Sequence, residues 1–119
     1  MVLVDTSVWI DFLRQGNDQL KELLEEGEVS THALVMGELH VGNISGRKEF
    51  LSLLGDLPKI GECSHEEVLY FIETHKLHGV GIGYFDAHIL CSAVVHGTPL
   101  WTLDQRLVKQ AEALTSRWR

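Results

Sequence analysis

The stretch Val2-Leu3-Val4-Asp5-Thr6-Ser7-Val8-Trp9-Ile10 decides the fold. Three apolar residues in a row, with no polar alternation, suit a strand covered on both faces. The run stops at Asp5-Thr6-Ser7, and helical spacing takes over with Trp9, Phe12 and Leu13 on one face until Gly16-Asn17. A strand that passes straight into a helix is the opening of a β-α-β unit. Near the other end the pattern returns. Pro99 introduces Leu100-Trp101-Thr102-Leu103-Asp104, and a helix is expected over 105–114. Both strands finish on an acid, so in a parallel sheet Asp5 and Asp104 lie along one edge, where ligands bind in folds of this kind.

Between these ends, strand-like runs continue to alternate with helical ones. A second helix is expected over 17–26, with Leu20, Leu23 and Leu24 inward and Gly27 as its stop. A strand is expected over 28–31, a helix over 33–41 ending at Gly42, and another over 45–54. Lys59-Ile60-Gly61 is weakly strand-like. Ser64 and Glu67 have the spacing of a capping box for a helix running towards Leu77. Gly79, Gly81 and Gly83 make a loop with neither a GxGxxG nor a Walker arrangement, hence a hinge rather than a nucleotide cradle. A helix follows over 84–95, stopped by Gly97. The whole predicts one domain over 1–119, an α/β fold with a short central parallel sheet flanked by helices on both faces.

The chain has 119 residues, of which 17 are Asp or Glu and 10 are Lys or Arg, for a formal charge of −7. Blanket neutralisation of nucleic-acid phosphates needs a basic protein, so that mode of binding is excluded. An acidic chain can still hold nucleic acid locally if carboxylates bind cations. Cys63 and Cys91 have no CxxC relation and read as small buried thiols in a reducing compartment. No basic-plus-apolar leader precedes Val2 and no apolar run approaches a membrane span, so a cytoplasmic chain without membrane contact is expected.

Most of the acids sit where solvated acids do. Glu22, Glu25, Glu26 and Glu28 form a wet face, Glu66 and Glu67 suit the first turn of a helix, and Asp11 is expected to pair with Arg14. Glu38 differs, because Leu34, Val35, Val41 and Gly42 surround it at helical spacing. Asp86 repeats the pattern with Ile89, Leu90, Ala93 and Val94. A carboxylate on an apolar stripe loses hydration and needs a cation or several donors. Asp86 has an alternative as a helix cap, and Asp5 and Asp104 could each cap the helix that follows. Capping explains each one alone better than it explains all four. Two inward helix carboxylates and two strand-terminal acids point to a single negative pocket, and divalent cations are what such pockets hold.

The same residues resemble a known family, the PIN-domain nucleases, and within it the VapC-type toxins of bacterial toxin–antitoxin pairs. Val2 to Ile10 is similar to the family's opening strand and first acid, Met36-Gly37-Glu38-Leu39 to its second acidic motif, Gly83 to Leu90 to its third, and Leu100 to Leu107 to its fourth. The four lie in the family's order and cover nearly the whole chain. The resemblance implies that Asp5, Glu38, Asp86 and Asp104 bind Mg²⁺ or Mn²⁺ and catalyse endonucleolytic cleavage of RNA, with Thr6 and Thr102 supporting them through hydroxyl hydrogen bonds. It also implies a homodimer and inhibition by a cognate antitoxin. A fifth acid carried by some members near Asp104 is absent, Leu107 and Val108 standing there, and only residues 115–119 remain for the family's further strand.

Arg106 and Lys109 follow Asp104 closely and are the best candidates for RNA phosphate contacts, ahead of Arg14, Arg47 and Lys48. His75 and His78 share a helical spacing but lack further zinc ligands. His40 and His88 fall roughly opposite the acids two residues before them. A receiver-type signalling module would want paired acids after the first strand and a late lysine, yet Asp5 is unpaired and Lys109 falls inside a helix. A PIN-like domain that binds RNA or a partner without cleaving it stays open.

Overall fold

The computed structural model describes residues 1–114 and 116–119. Its elements, in order, are β1 (Val2–Val4), α1 (Thr6–Gln15), α2 (Asp18–Glu25), β2 (Val29–Ser30), α3 (Ala33–Val41), α4 (Arg47–Asp56), α5 (His65–Thr74), α6 (Tyr84–Val95), β3 (Leu100–Trp101) and α7 (Gln105–Ala113). The sheet is parallel with β1 in the middle, in the order β2-β1-β3. Leu3 pairs with Ser30 on one side and Leu100 on the other. Consecutive strand residues face opposite sides, and Val2, Leu3 and Val4 are all buried, so both faces of the sheet are covered. The unbroken apolar run of β1 reflects that double cover.

The strands are shorter than expected, and the chain's own polar groups explain where they stop. Leu103 does not continue β3 because its backbone N–H goes elsewhere, and the Thr102 side chain is engaged across the strand end. The Thr102 hydroxyl donates to Asp5, and the Leu103 N–H donates to Ser7 Oγ at 3.0 Å. On the outer side of β2, Thr31 bridges Lys59 in parallel, which is all that forms of the weak strand at 59–61. Beyond β3, Leu100 bridges Arg117, with Leu100 N–H donating to Ser116 O and Trp118 N–H donating to Leu100 O. Among the described residues, the further strand that the resemblance implies is represented by this bridge; Thr115 lies outside them. Trp118 is held there against Trp101, ring centroids 4.4 Å apart.

Capping accounts for several helix starts. Asn17 accepts from Leu20 N–H, and Ser64 with Glu67 forms the reciprocal capping box expected of them. The α5 helix ends at Thr74, short of Leu77. Lys76 takes a left-handed conformation (φ 53°) and Leu77 N–H reaches back to Ile72 O, a Schellman-type stop made without glycine. His75 therefore caps the helix and His78 lies beyond it, which removes the helical pairing of those two histidines.

The core is organised around α6, buried on every side from Ala87 to Ala93. Fully buried Trp9 meets Phe12 and Phe50 edge-on at 6.1 and 5.6 Å, locking α1 to α4. Asp86 lies one residue before the buried stretch, in the first turn of α6.

Candidate active site

Asp5 follows β1 directly and occupies the N-cap position of α1, yet its carboxylate makes no capping bond. It is buried, and two hydroxyls hold it. Thr102 Oγ1 donates to Asp5 Oδ2 at 2.7 Å and Ser7 Oγ donates to the same oxygen at 2.9 Å. The two hydroxyl oxygens lie 3.3 Å apart, and backbone N–H groups of Leu103 and Asp104 donate to them in turn. A small network thus ties the ends of β1 and β3 together and holds Asp5 through Oδ2. Thr102 supports the acid as expected. The second support is Ser7, whereas the Thr6 hydroxyl is buried with no hydrogen-bond partner among the described residues.

Asp5, Glu38, Asp86 and Asp104 line one open cleft of about 620 Å³, together with Thr6, Ser7, Ile10, Val41 and Phe85. Asp104 also caps α7, accepting from Arg106 N–H at 2.9 Å, so for this residue capping and cleft placement coexist. Glu38 is exposed, and the residues of α3 that reach the core are Val35 and Leu39. The apolar neighbours of Glu38 divide: Val35 is buried and Leu34 packs against the core, whereas Val41, on the wall of the cleft, is 89% exposed. Asp86 is half-buried. Its pKa is raised to about 6, first by burial, then by the charges of Asp5, Asp104 and Glu38, with a hydrogen bond from the Gly83 backbone pulling the other way. All three other acids of the cleft act on it.

Arg106 and Lys109 are exposed on α7, beyond Asp104. The Arg106 stem lies across the glycine loop, where a Cβ built on Gly81 would meet Arg106 Cδ at 2.9 Å. Asp11 bonds Gln15 and Asn17 rather than Arg14. His40 Nδ1 engages Met36 O at 2.7 Å on the surface, and His88 is buried edge-on to His32. A second groove of about 410 Å³ shares Thr6, Ile10 and Glu38 with the cleft and continues past Arg14, Asn43 and Ser45.

The donor chemistry of the cleft suits a hard divalent cation, since every acidic ligand offered is a carboxylate oxygen. Among the described residues no three His, Cys, Asp or Glu side chains stand close enough to form a ready-made cage. Such an arrangement fits an ion that keeps most of its waters and takes one or two carboxylates, as Mg²⁺ does, and does not fit a closed zinc-type site.

A parallel sheet with four carboxylates facing one cleft beyond its carboxyl edge defines a class: an α/β domain with an acidic, cation-attracting site. Comparison with known proteins narrows it. The PIN domain family matches residues 2–113. Ribonuclease VapC32 of Mycobacterium tuberculosis is 45% identical over 108 residues, spanning 90% of this chain and 87% of the relative. Ribonuclease VapC1 of Methanocaldococcus jannaschii is 28% identical over 110 residues, spanning 88% of this chain and 76% of the relative. Among solved structures, PAE2754 from Pyrobaculum aerophilum aligns with a TM-score of 0.66 at 15% identity, over 92% of this chain and 83% of that one. FitAB bound to an IR36 DNA fragment aligns with a TM-score of 0.66 at 21% identity, over 98% and 92%. The chain belongs to the PIN-domain family, among its VapC-type ribonucleases.

Proposed function

We propose that this protein is a Mg²⁺- or Mn²⁺-dependent endoribonuclease, the toxin of a toxin–antitoxin pair, and that Asp5, Glu38, Asp86 and Asp104 are its metal-binding and catalytic residues. The observation that carries this reading is the gathering of Asp5, Glu38, Asp86 and Asp104 on one cleft, close enough that the other three all act on Asp86. The VapC ribonuclease relatives support the nuclease and toxin parts.

When bound, a divalent ion supplies Lewis-acid polarisation of the phosphodiester and a water acidic enough to attack at neutral pH. The protein's own contribution is positional. Thr102 and Ser7 fix Asp5 through Oδ2 on the lining of the cleft. Asp86, with a pKa of about 6, can exchange a proton near neutrality. Asp104 is set by its bond to the Arg106 N–H, and Glu38 closes the opposite wall. Arg106 and Lys109 neutralise RNA phosphates beside the cleft, as an otherwise acidic chain requires. A homodimer in the cytoplasm and a cognate antitoxin belong to the same proposal. An antitoxin side chain suited to this cleft is an arginine, which pairs with carboxylates bidentately.

The test is incubation of the purified chain with a mixed RNA pool in EDTA, Mg²⁺ or Mn²⁺. New internal ends in the metal arms alone are the expected result. Retention of RNA without cleavage in every arm would replace this reading with that of a silent RNA-binding PIN domain.

A further inference from the structure

Cys63 and Cys91 are 28 positions apart in sequence, yet their sulfurs lie 3.2 Å from each other in the interior. Cys63 sits just ahead of α5, between the exposed Glu62 and Ser64. Cys91 lies in the middle of α6, at the back of a groove of about 410 Å³ lined also by Tyr70, Phe71, His75 and Val95. Cys91 thus lines a groove open to solvent, and Cys63 is flanked in sequence by two exposed residues.

The hydrogen bonds around this pair have a direction. Leu34 N–H donates to His32 Nδ1 at 3.0 Å, so the ring carries its proton on Nε2. Nε2–H then donates to Ser92 Oγ at 3.0 Å, which leaves the Ser92 hydroxyl proton free to point at Cys63 Sγ, 3.8 Å away. The Cys91 thiol donates to the same sulfur. Cys63 Sγ therefore accepts from two sides, so its lone pairs face the Cys91 thiol hydrogen and the Ser92 hydroxyl, while Cys91 is turned onto it as a donor. The His32 pKa is lowered to about 4 by burial and then by His88, so the ring stays neutral and the relay keeps its direction. Burial, followed by Cys63, pushes the Cys91 thiol up to about 12.

We propose that Cys63 and Cys91 form a peroxide-oxidisable dithiol, in which Cys63 attacks first and Cys91 resolves, closing a reversible disulfide within one chain. In the first step the Cys63 sulfur takes one oxygen of hydrogen peroxide as the O–O bond breaks. The other oxygen leaves as hydroxide and becomes water with the thiol's proton. In the second step the Cys91 sulfur attacks the Cys63 sulfenic sulfur. The S–S bond forms, the S–O bond breaks, and a second water leaves with the Cys91 proton. Two thiols are oxidised by two electrons and one peroxide is reduced to two waters. The sulfurs need to close from 3.2 Å to the ~2.05 Å of a disulfide, a movement within the reach of side-chain rotation.

Treating the folded protein with dilute hydrogen peroxide and reading its intact mass and a non-reduced peptide map tests this. The expected result is loss of two hydrogens, loss of both titratable thiols and a Cys63–Cys91 linked peptide. The thermal midpoint should rise by roughly 5–15 °C, and dithiothreitol should reverse all of it. Cys91→Ser should stop with one oxygen on Cys63, trapped by a sulfenic-acid-directed dione. Cys63→Ser should leave Cys91 unoxidised under the same dose. Survival of both thiols in wild type, oxygen added to each without a link, links only between chains, or rapid oxidation of Cys91 in Cys63→Ser would each overturn the proposal.

Discussion

At Asp86, burial and three neighbouring carboxylates act in the same direction, and the group holds its proton up to about pH 6. The sign of its effect on stability follows. In the unfolded chain the proton leaves near 3.8, so between about pH 4 and 6 the folded state binds more protons than the unfolded one. Stability from this group is present at low pH and lost as pH rises through 6. Asp86→Asn should match the wild type in stability near pH 4. Above pH 6 it should be more stable by about 1–2 kcal/mol, allowing for screening in an open cleft. Denaturant midpoints across that range check this, and a variant equally destabilised at all pH values would make Asp86 a structural cap. Sequence reasoning reached all four acids because each interrupts an apolar pattern or ends a strand. Hydroxyl support from Thr6 and Thr102 is what the family resemblance implies; Thr102 gives it, and Ser7 stands in for Thr6, since a hydroxyl's direction depends on the turn leaving β1.

At the scale of elements, α6 was legible to the residue, over 84–95, because an apolar run stands between Gly83 and Gly97. The strands were legible as places but not as lengths. Thr102 and Leu103 look like strand residues, yet the Leu103 backbone N–H is diverted to Ser7, a contact nearly a hundred positions away that no local pattern displays. The end of α5 was missed for a related reason, a left-handed lysine where glycine is the usual sign. The glycine loop before α6 gives a prediction at this scale. Gly79 and Gly81 both have positive φ (70° and 90°), but only at Gly81 would a Cβ meet Arg106. Alanine at either position should destabilise by about 1–2 kcal/mol through backbone strain. Gly81→Ala alone should also weaken RNA binding severalfold, by displacing the Arg106 stem. Filter-binding with an uncleavable RNA would show it, and equal affinities for the two variants would remove Arg106 from the RNA-binding surface.

For the whole molecule, the parallel α/β architecture follows from β1, whose unbroken apolar run demands cover on both faces, and from the acids that end β1 and follow β3. The openness of the cleft does not follow from sequence. Glu38 stands on α3 between a buried Val35 and a Val41 that faces solvent, so its side chain is at the edge of the core and not inside it. Mn²⁺ should raise the thermal midpoint of the wild type in a concentration-dependent way, by mass action on the folded state. Asp5→Asn should lose that rise, and a rise undiminished in the variant would put the ion elsewhere. The most direct measurement is the rate of RNA cleavage in Mn²⁺ by wild type, Asp5→Asn and Asp86→Asn, each confirmed folded by circular dichroism. Loss of at least ~10²-fold in both variants, with folding intact, is the predicted result. Cleavage at the wild-type rate by either folded variant would contradict the assignment of the acidic cleft as the active site.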